Sequence, residues 1–142
     1  MTAERASERL LLAHLDEAKS AKANHVRWVE SAAELRMKFS VELHGGTVMQ
    51  VGGVFRGPGD QQIWLDHPGW RNGRVHLIRI CCTPAHESVL HWHKFEGGGK
   101  LTRTNAYEGP ELDLSEPSTL LVDVFAPKLK IFDYVYEGSL RP

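Results

Sequence analysis

Cysteine is scarce in this chain: there are two, Cys81 and Cys82, and they are neighbours. A disulfide between adjacent residues needs a strained ring, so no covalent staple is expected and a reducing compartment is the natural setting. Long apolar runs are also missing. No stretch approaches the ~18 consecutive apolar residues of a membrane span. The opening MTAERASERLLLAHLDEAKSAK scatters acids and bases through its apolar positions, unlike a secretion signal. The expectation is a cytoplasmic protein with no membrane partner. Excess charge is absent as well: 17 basic and 18 acidic residues give a formal net charge of -1, which excludes a global basic field for nucleic acid. No repeat, low-complexity segment or long linker divides the chain, so residues 1–142 read as a single domain. With 42% hydrophobic and 25% charged residues the composition is globular. A chain of this length buries roughly two thirds of its unfolded surface, enough to fold without metal or disulfide.

The organisation that is present changes near residue 37. Between Ala3 and about Lys22, Leu11, Leu15 and Ala18 recur at helical spacing, widened by Leu10, Leu12 and Ala21, and predict an amphipathic helix. HVRWVE is ambiguous. Ser31 followed by Glu34 resembles a capping box, which favours a second short helix and makes residues 1–36 mainly helical. Residues 37–138 are β-rich, with short runs punctuated by glycine and proline. KFSVEL and TVMQVGGVF form a hairpin, followed by QQIWLDH, RVHLIRICC, SVLHWHKFE, KLTRTNAYE, TLLVDVF and LKIFDYVYE. The triple glycine Gly97 to Gly99 reads as a hairpin turn. The predicted fold class is α+β: an N-terminal helix and a strongly bent, mainly antiparallel sheet or half barrel of about seven or eight strands.

The chemistry concentrates between Arg74 and Glu96. Imidazole and thiol are the groups best suited to move protons or hold metals near neutral pH, and this stretch gathers both cysteines with His76, His86, His91 and His93. Strand alternation places His91 and His93 on one face and turns Lys94 to the other. In the preceding strand either Arg79 with Cys81, or His76 with Cys82, shares the histidine face, depending on register. Three sites can be built from these residues. A metal site uses His91 and His93 with Glu96, His86 or Cys82 as third ligand for Zn²⁺, Fe or Mn. A metal-free phosphodiester-cleaving site uses His86, His91 and His93 as acid and base, with Arg79, Lys94 and Arg103 binding phosphate. A thiol mechanism through Cys81 or Cys82 ranks last, because cysteine in an apolar run is usually a small buried hydrophobe. His14, His25, His44 and His67 read as structural or surface. Between Trp70 and Arg103, Arg71, Arg74, Arg79, Lys94, Lys100 and Arg103 outnumber Glu87 and Glu96, which favours an anionic partner.

Two family resemblances cover this stretch alone. PAHESVLHWHKFE resembles the first cupin motif, with Pro84, His91, His93 and Glu96 at the matching positions, which implies metal ligands in a small β-barrel. Glu96 falls one residue early, and no second motif follows. IRICCTPAHESVLHWHKFEGG is similar to a segment of TumE-like toxins from toxin–antitoxin pairs and of small prophage proteins, with Arg79, Pro84, His86, His91 and His93 in corresponding places. Cys81 or Cys82 stands where that family carries an aspartate. This resemblance implies a growth-inhibiting protein with RNA as its target and an antitoxin as its partner. The leading expectation is therefore a small ribonuclease-type hydrolase. A non-enzymatic interaction protein is the alternative and a cupin-like metal protein the third reading.

Overall fold

A computed structural model describes residues 8–22, 24–69, 76–84, 89–94 and 103–140. Within these the chain runs α1 (Glu8–Asp16), β1 (Lys19–Ser20), β2 (His25–Ser31), β3 (Glu34–Leu43), β4 (Val48–Gly57), β5 (Asp60–Asp66), β6 (Ile78–Cys82), β7 (His91–Lys94) and β8 (Arg103–Ala106). A π-helical segment (Thr119–Phe125), α2 (Ala126–Leu129), β9 (Ile131–Phe132) and β10 (Val135–Leu140) complete it. The strands form one open, mainly antiparallel sheet in the order β10-β2-β3-β4-β5-β6-β7-β8, with β1 pairing β3 and β9. Only β10 with β2 and β1 with β9 run parallel among these strands. No helix among the described residues is long and apolar enough to cross a membrane.

The α+β class and the antiparallel sheet agree with the sequence reading; four features differ. Ten strands are present among the described residues, against the seven or eight expected: β1 and β2 add to the set, LKIFDYVYE divides into β9 and β10, and TLLVDVF drops out. The second helix is absent: His25–Ser31 and Glu34–Leu43 are strands joined at Ala32–Ala33. Val26 and Trp28 alternate with exposed residues, a period of two that overrides the capping signal. Glu34 caps nothing and instead pairs with Arg36 and Arg56. TLLVDVF, expected as a strand, is helical. Leu120, Leu121, Val124 and Phe125 are all buried, and their spacing of one, three and one suits a helix face. The first helix also ends sooner than expected, at Asp16, because Lys19 and Ser20 are taken into the sheet.

One core joins both layers. Leu11 and Leu15 of α1, Leu120, Leu121 and Phe125 of the π-helical segment, and Leu129 of α2 belong to the same buried cluster as Met37, Val51, Ile63, Leu65, Ile78 and Ile80 of the sheet. Trp92 of β7 stacks on Phe125 with centroids 6.1 Å apart. Burial alternates along β5, where Gln61, Ile63 and Leu65 are covered and Gln62, Trp64 and Asp66 are half exposed. The helices therefore cover one face of the sheet and leave the other to polar side chains.

Two buried polar groups tie the layers together. Lys19 is fully buried, and its ammonium donates to the carbonyls of Leu15 at 2.8 Å, Glu17 at 2.7 Å and Leu129 at 2.6 Å. Burial pulls its pKa down to about 8, so it remains charged at neutral pH. His67 accepts the Gly69 N–H on Nδ1 at 2.8 Å, so its proton sits on Nε2 and donates to His14 Nδ1 at 2.7 Å. Burial, and secondarily His14, pulls its pKa down from 6.5 to about 4.

Lys19→Met leaves three carbonyls without their charged donor and is expected to lower folding stability by about 3 kcal/mol, measured by urea denaturation. For His67 the folded value lies below the unfolded one, so the unfolded chain takes up the proton first. Its contribution is complete above about pH 6.5 and is lost as the pH falls toward about 4, to an extent of roughly 3 kcal/mol. His67→Asn retains an acceptor for Gly69 and removes the titration. Its stability profile between those pH values, from the same denaturation series, is expected to be flatter than the wild type's.

Candidate metal centre

The site is built on the β6–β7 pair. Ile78-Arg79-Ile80 sends two β-branched apolar side chains to the helical layer, and Trp92 does the same between His91 and His93. The antiparallel register pairs Ile80 with Trp92, Cys81 with His91 and Arg79 with His93. Arg79 and Cys81 therefore share the histidine face, which resolves the alternative left open by the sequence. Cys82 faces the core opposite Gln61, with its thiol 3.7 Å from the Pro58 carbonyl, and cannot serve as the third ligand. His76 precedes β6 and stands against Trp64, with ring centroids 4.7 Å apart and Nδ1 2.6 Å from Asp66 Oδ1.

Three ligand-type atoms converge on the histidine face. His91 Nε2 lies 3.0 Å from Cys81 Sγ and 2.8 Å from His93 Nε2, and all three atoms are within 4.8 Å of one another. Cys81 and His91 are buried, and His93 is half exposed. His91 Nδ1 lies 2.7 Å from the Val89 carbonyl, which can only accept, so Nδ1 carries a proton. In the neutral ring Nε2 is then a bare lone pair, and it faces both Cys81 and His93. One lone pair cannot satisfy a thiol and an imidazole N–H equally, but a single cation can sit among all three atoms. Tetrahedral zinc would hold the two nitrogens about 3.3 Å apart and sulfur about 3.6 Å from each, about half an ångström wider than the His91–His93 and Cys81–His91 pairs here. Burial pushes the Cys81 thiol up, against the opposing pull of the Arg79 guanidinium, so without a cation the sulfur keeps its proton.

The remaining predicted residues separate. Arg79 stays with the site: it pairs with His93 on one side and Trp64 on the other, and its Nε is buried without a hydrogen-bond partner among the described residues. Lys94 does not, because alternation turns it to the helical face, where it borders a small hollow with Leu12, Leu15 and Lys128. Arg103 holds the register position opposite Lys94, and His93 has Thr104 opposite. His86, Glu96 and the triple glycine lie outside the described residues.

Cys81 is the thiol on the histidine face, where the sequence reading named Cys82 among the candidate third ligands and left the register open. A signal for it existed. Ile78 and Ile80 demand the core, as does Trp92, so matching the apolar faces of the two strands puts Cys82 inward and Cys81 beside the histidines. No protein-family model, no curated protein and no solved structure matches this chain.

Proposed function

We propose that Cys81, His91 and His93 bind a divalent transition metal, zinc first among them, and that the centre hydrolyses a phosphodiester, RNA being the expected substrate. The observation that supports this is the convergence of the three ligand atoms with the His91 tautomer fixed from behind by the Val89 carbonyl. Nitrogen and sulfur donors suit zinc rather than calcium or magnesium. Three protein ligands leave one tetrahedral position for water or substrate, the arrangement of hydrolytic rather than purely structural zinc. When bound, the ion supplies Lewis acidity and brings the pKa of a coordinated water toward neutrality. The chain's own residues do the rest. Cys81 gives up its proton on binding and becomes the anionic ligand, His91 and His93 supply neutral nitrogen, and Arg79 offers a guanidinium beside His93 to an anionic oxygen.

A second reading needs no metal. His91 and His93 are within proton-transfer distance of each other, and Arg79 is beside them, so the pair can act as acid and base on RNA. The TumE-like resemblance favours this chemistry, with an antitoxin as the cognate partner.

Elemental mass spectrometry of untagged protein decides between them. The wild type is expected to carry close to one zinc per chain after mild dialysis. Cys81→Ser and the His91→Ala, His93→Ala double variant should lose it, and Lys94→Ala should keep it. RNA cleavage is expected to stop on chelation and return with zinc. A wild type that takes up no more metal than the double variant overturns the metal centre. Chelator-resistant cleavage lost in that variant establishes the second reading instead.

A further inference from the structure

Charge distinguishes between cations that the donor atoms of the centre would all accept. Cys81 contributes one negative charge when its sulfur binds an ion. His91 and His93 contribute none as ligands, and the Val89 carbonyl holds the single proton of the neutral His91 ring on Nδ1. Among the described residues no carboxylate belongs to the cluster. Arg79 lies beside His93 in register, and its guanidinium acts on the charge of the Cys81 sulfur. A divalent ion on these three atoms would therefore leave one positive charge next to a cation. A monovalent ion would leave none.

Burial makes this difference count. Cys81 is 1% exposed and His91 5%, so an uncompensated charge on the ion would meet little water. Monovalent sodium and potassium are hard ions that seek oxygen, whereas a thiolate with two imidazoles is a soft set suited to Cu(I). The number of donors agrees. Cu(I) is satisfied by two or three soft donors, and Cys82, whose thiol faces the core beside the Pro58 carbonyl, offers no fourth. Zinc on the same atoms needs a fourth ligand from solution. The half-exposed His93 ring gives an ion its way in.

We propose that the centre is also a Cu(I) site: monovalent copper takes Cys81 Sγ, His91 Nε2 and His93 Nε2 in preference to zinc, and by doing so closes the hydrolytic centre. The inhibition rests on the phosphodiester reading, but copper binding itself requires no hydrolysis. In the exchange Cu(I) enters, Zn²⁺ leaves, Cys81 stays a thiolate and no electron is transferred. The copper-loaded site is neutral and three-coordinate. It has no position for water and no net charge with which to polarise a phosphate oxygen.

The metal-free chain is titrated with Cu(I) under nitrogen against bicinchoninate, a chromophoric Cu(I) chelator, then dialysed and analysed by elemental mass spectrometry. About one copper per chain is expected, retained against a roughly hundredfold excess of zinc. Cys81→Ser and the His91→Ala, His93→Ala double variant should each release copper to the chelator. Lys94→Ala, on the other face of the sheet, should hold it as the wild type does. Arg79→Gln tests the charge balance: without the neighbouring guanidinium a divalent ion gains more than a monovalent one, so the preference for copper over zinc should fall by roughly tenfold. One equivalent of Cu(I) should bring RNA cleavage by the zinc-loaded protein down to that of the metal-free chain. The copper site is overturned if the chelator strips wild type and double variant alike, if the excess zinc displaces copper, or if Arg79→Gln leaves the preference unchanged. Zinc-dependent cleavage that continues in the presence of Cu(I) removes the copper site alone. Copper held by a chain that cleaves no RNA with zinc keeps the copper site and removes the hydrolytic reading.

Discussion

The fold depends on an ammonium that water never reaches. Lys19 sits where α1 ends, β1 begins and α2 closes, and its three protons go to carbonyls from both helical segments. Helix C-termini gather unpaired carbonyls and the negative end of the backbone dipole, so one buried cation can satisfy two of them at once. Burying that charge is unfavourable unless every proton is used, and here every proton is. The alternative without it is a pair of helix ends buried against the sheet with their oxygens unmet. The ammonium therefore fixes the helical layer over one face of the sheet, and this determines which face is left for chemistry.

Covering one face has consequences at each strand. Ile63, Ile80 and Trp92 must go inward, so Trp64, Arg79, Cys81, His91 and His93 must go outward, because a strand cannot turn neighbouring side chains the same way. Cys81 and His91 are nevertheless buried on that outward side. Their short contacts are consequently not diluted by bulk water, and the protonation of each is bound to that of its neighbour. The lone pair of His91 is fixed between a thiol and a second imidazole, both within hydrogen-bond distance of it.

Much of this was legible from residue order. The hairpin from KFSVEL to TVMQVGGVF, the strands holding Arg79 and His91, and the opposite facing of Lys94 all follow from period-two alternation, which survives in the fold because one face is buried. What escaped detection was short or ambiguous. TLLVDVF has the β-branched content of a strand, and a seven-residue apolar run carries too little length to show helical period; only packing against Trp92 and the sheet settles it. His14 and His67, read as structural or surface, become a half-buried hydrogen-bonded pair because α1 folds back over the end of β5, a contact across 53 residues that no local pattern encodes. Cys81 required matching two strands rather than reading one.

The electrostatics of the outward face argue for an anion rather than a neutral substrate. A divalent ion held by one thiolate and two neutral imidazoles keeps a positive charge, and no carboxylate among the described residues joins the cluster to cancel it. Arg79 adds another positive group opposite His93, with a buried Nε that has no hydrogen-bond partner among the described residues. Protein interiors rarely leave such a donor unmet. On the proposed reading, an anionic oxygen beside Arg79 would give that Nε the acceptor it lacks among the described residues. On the same reading a phosphodiester, with one negative charge on two equivalent oxygens, would supply such an acceptor.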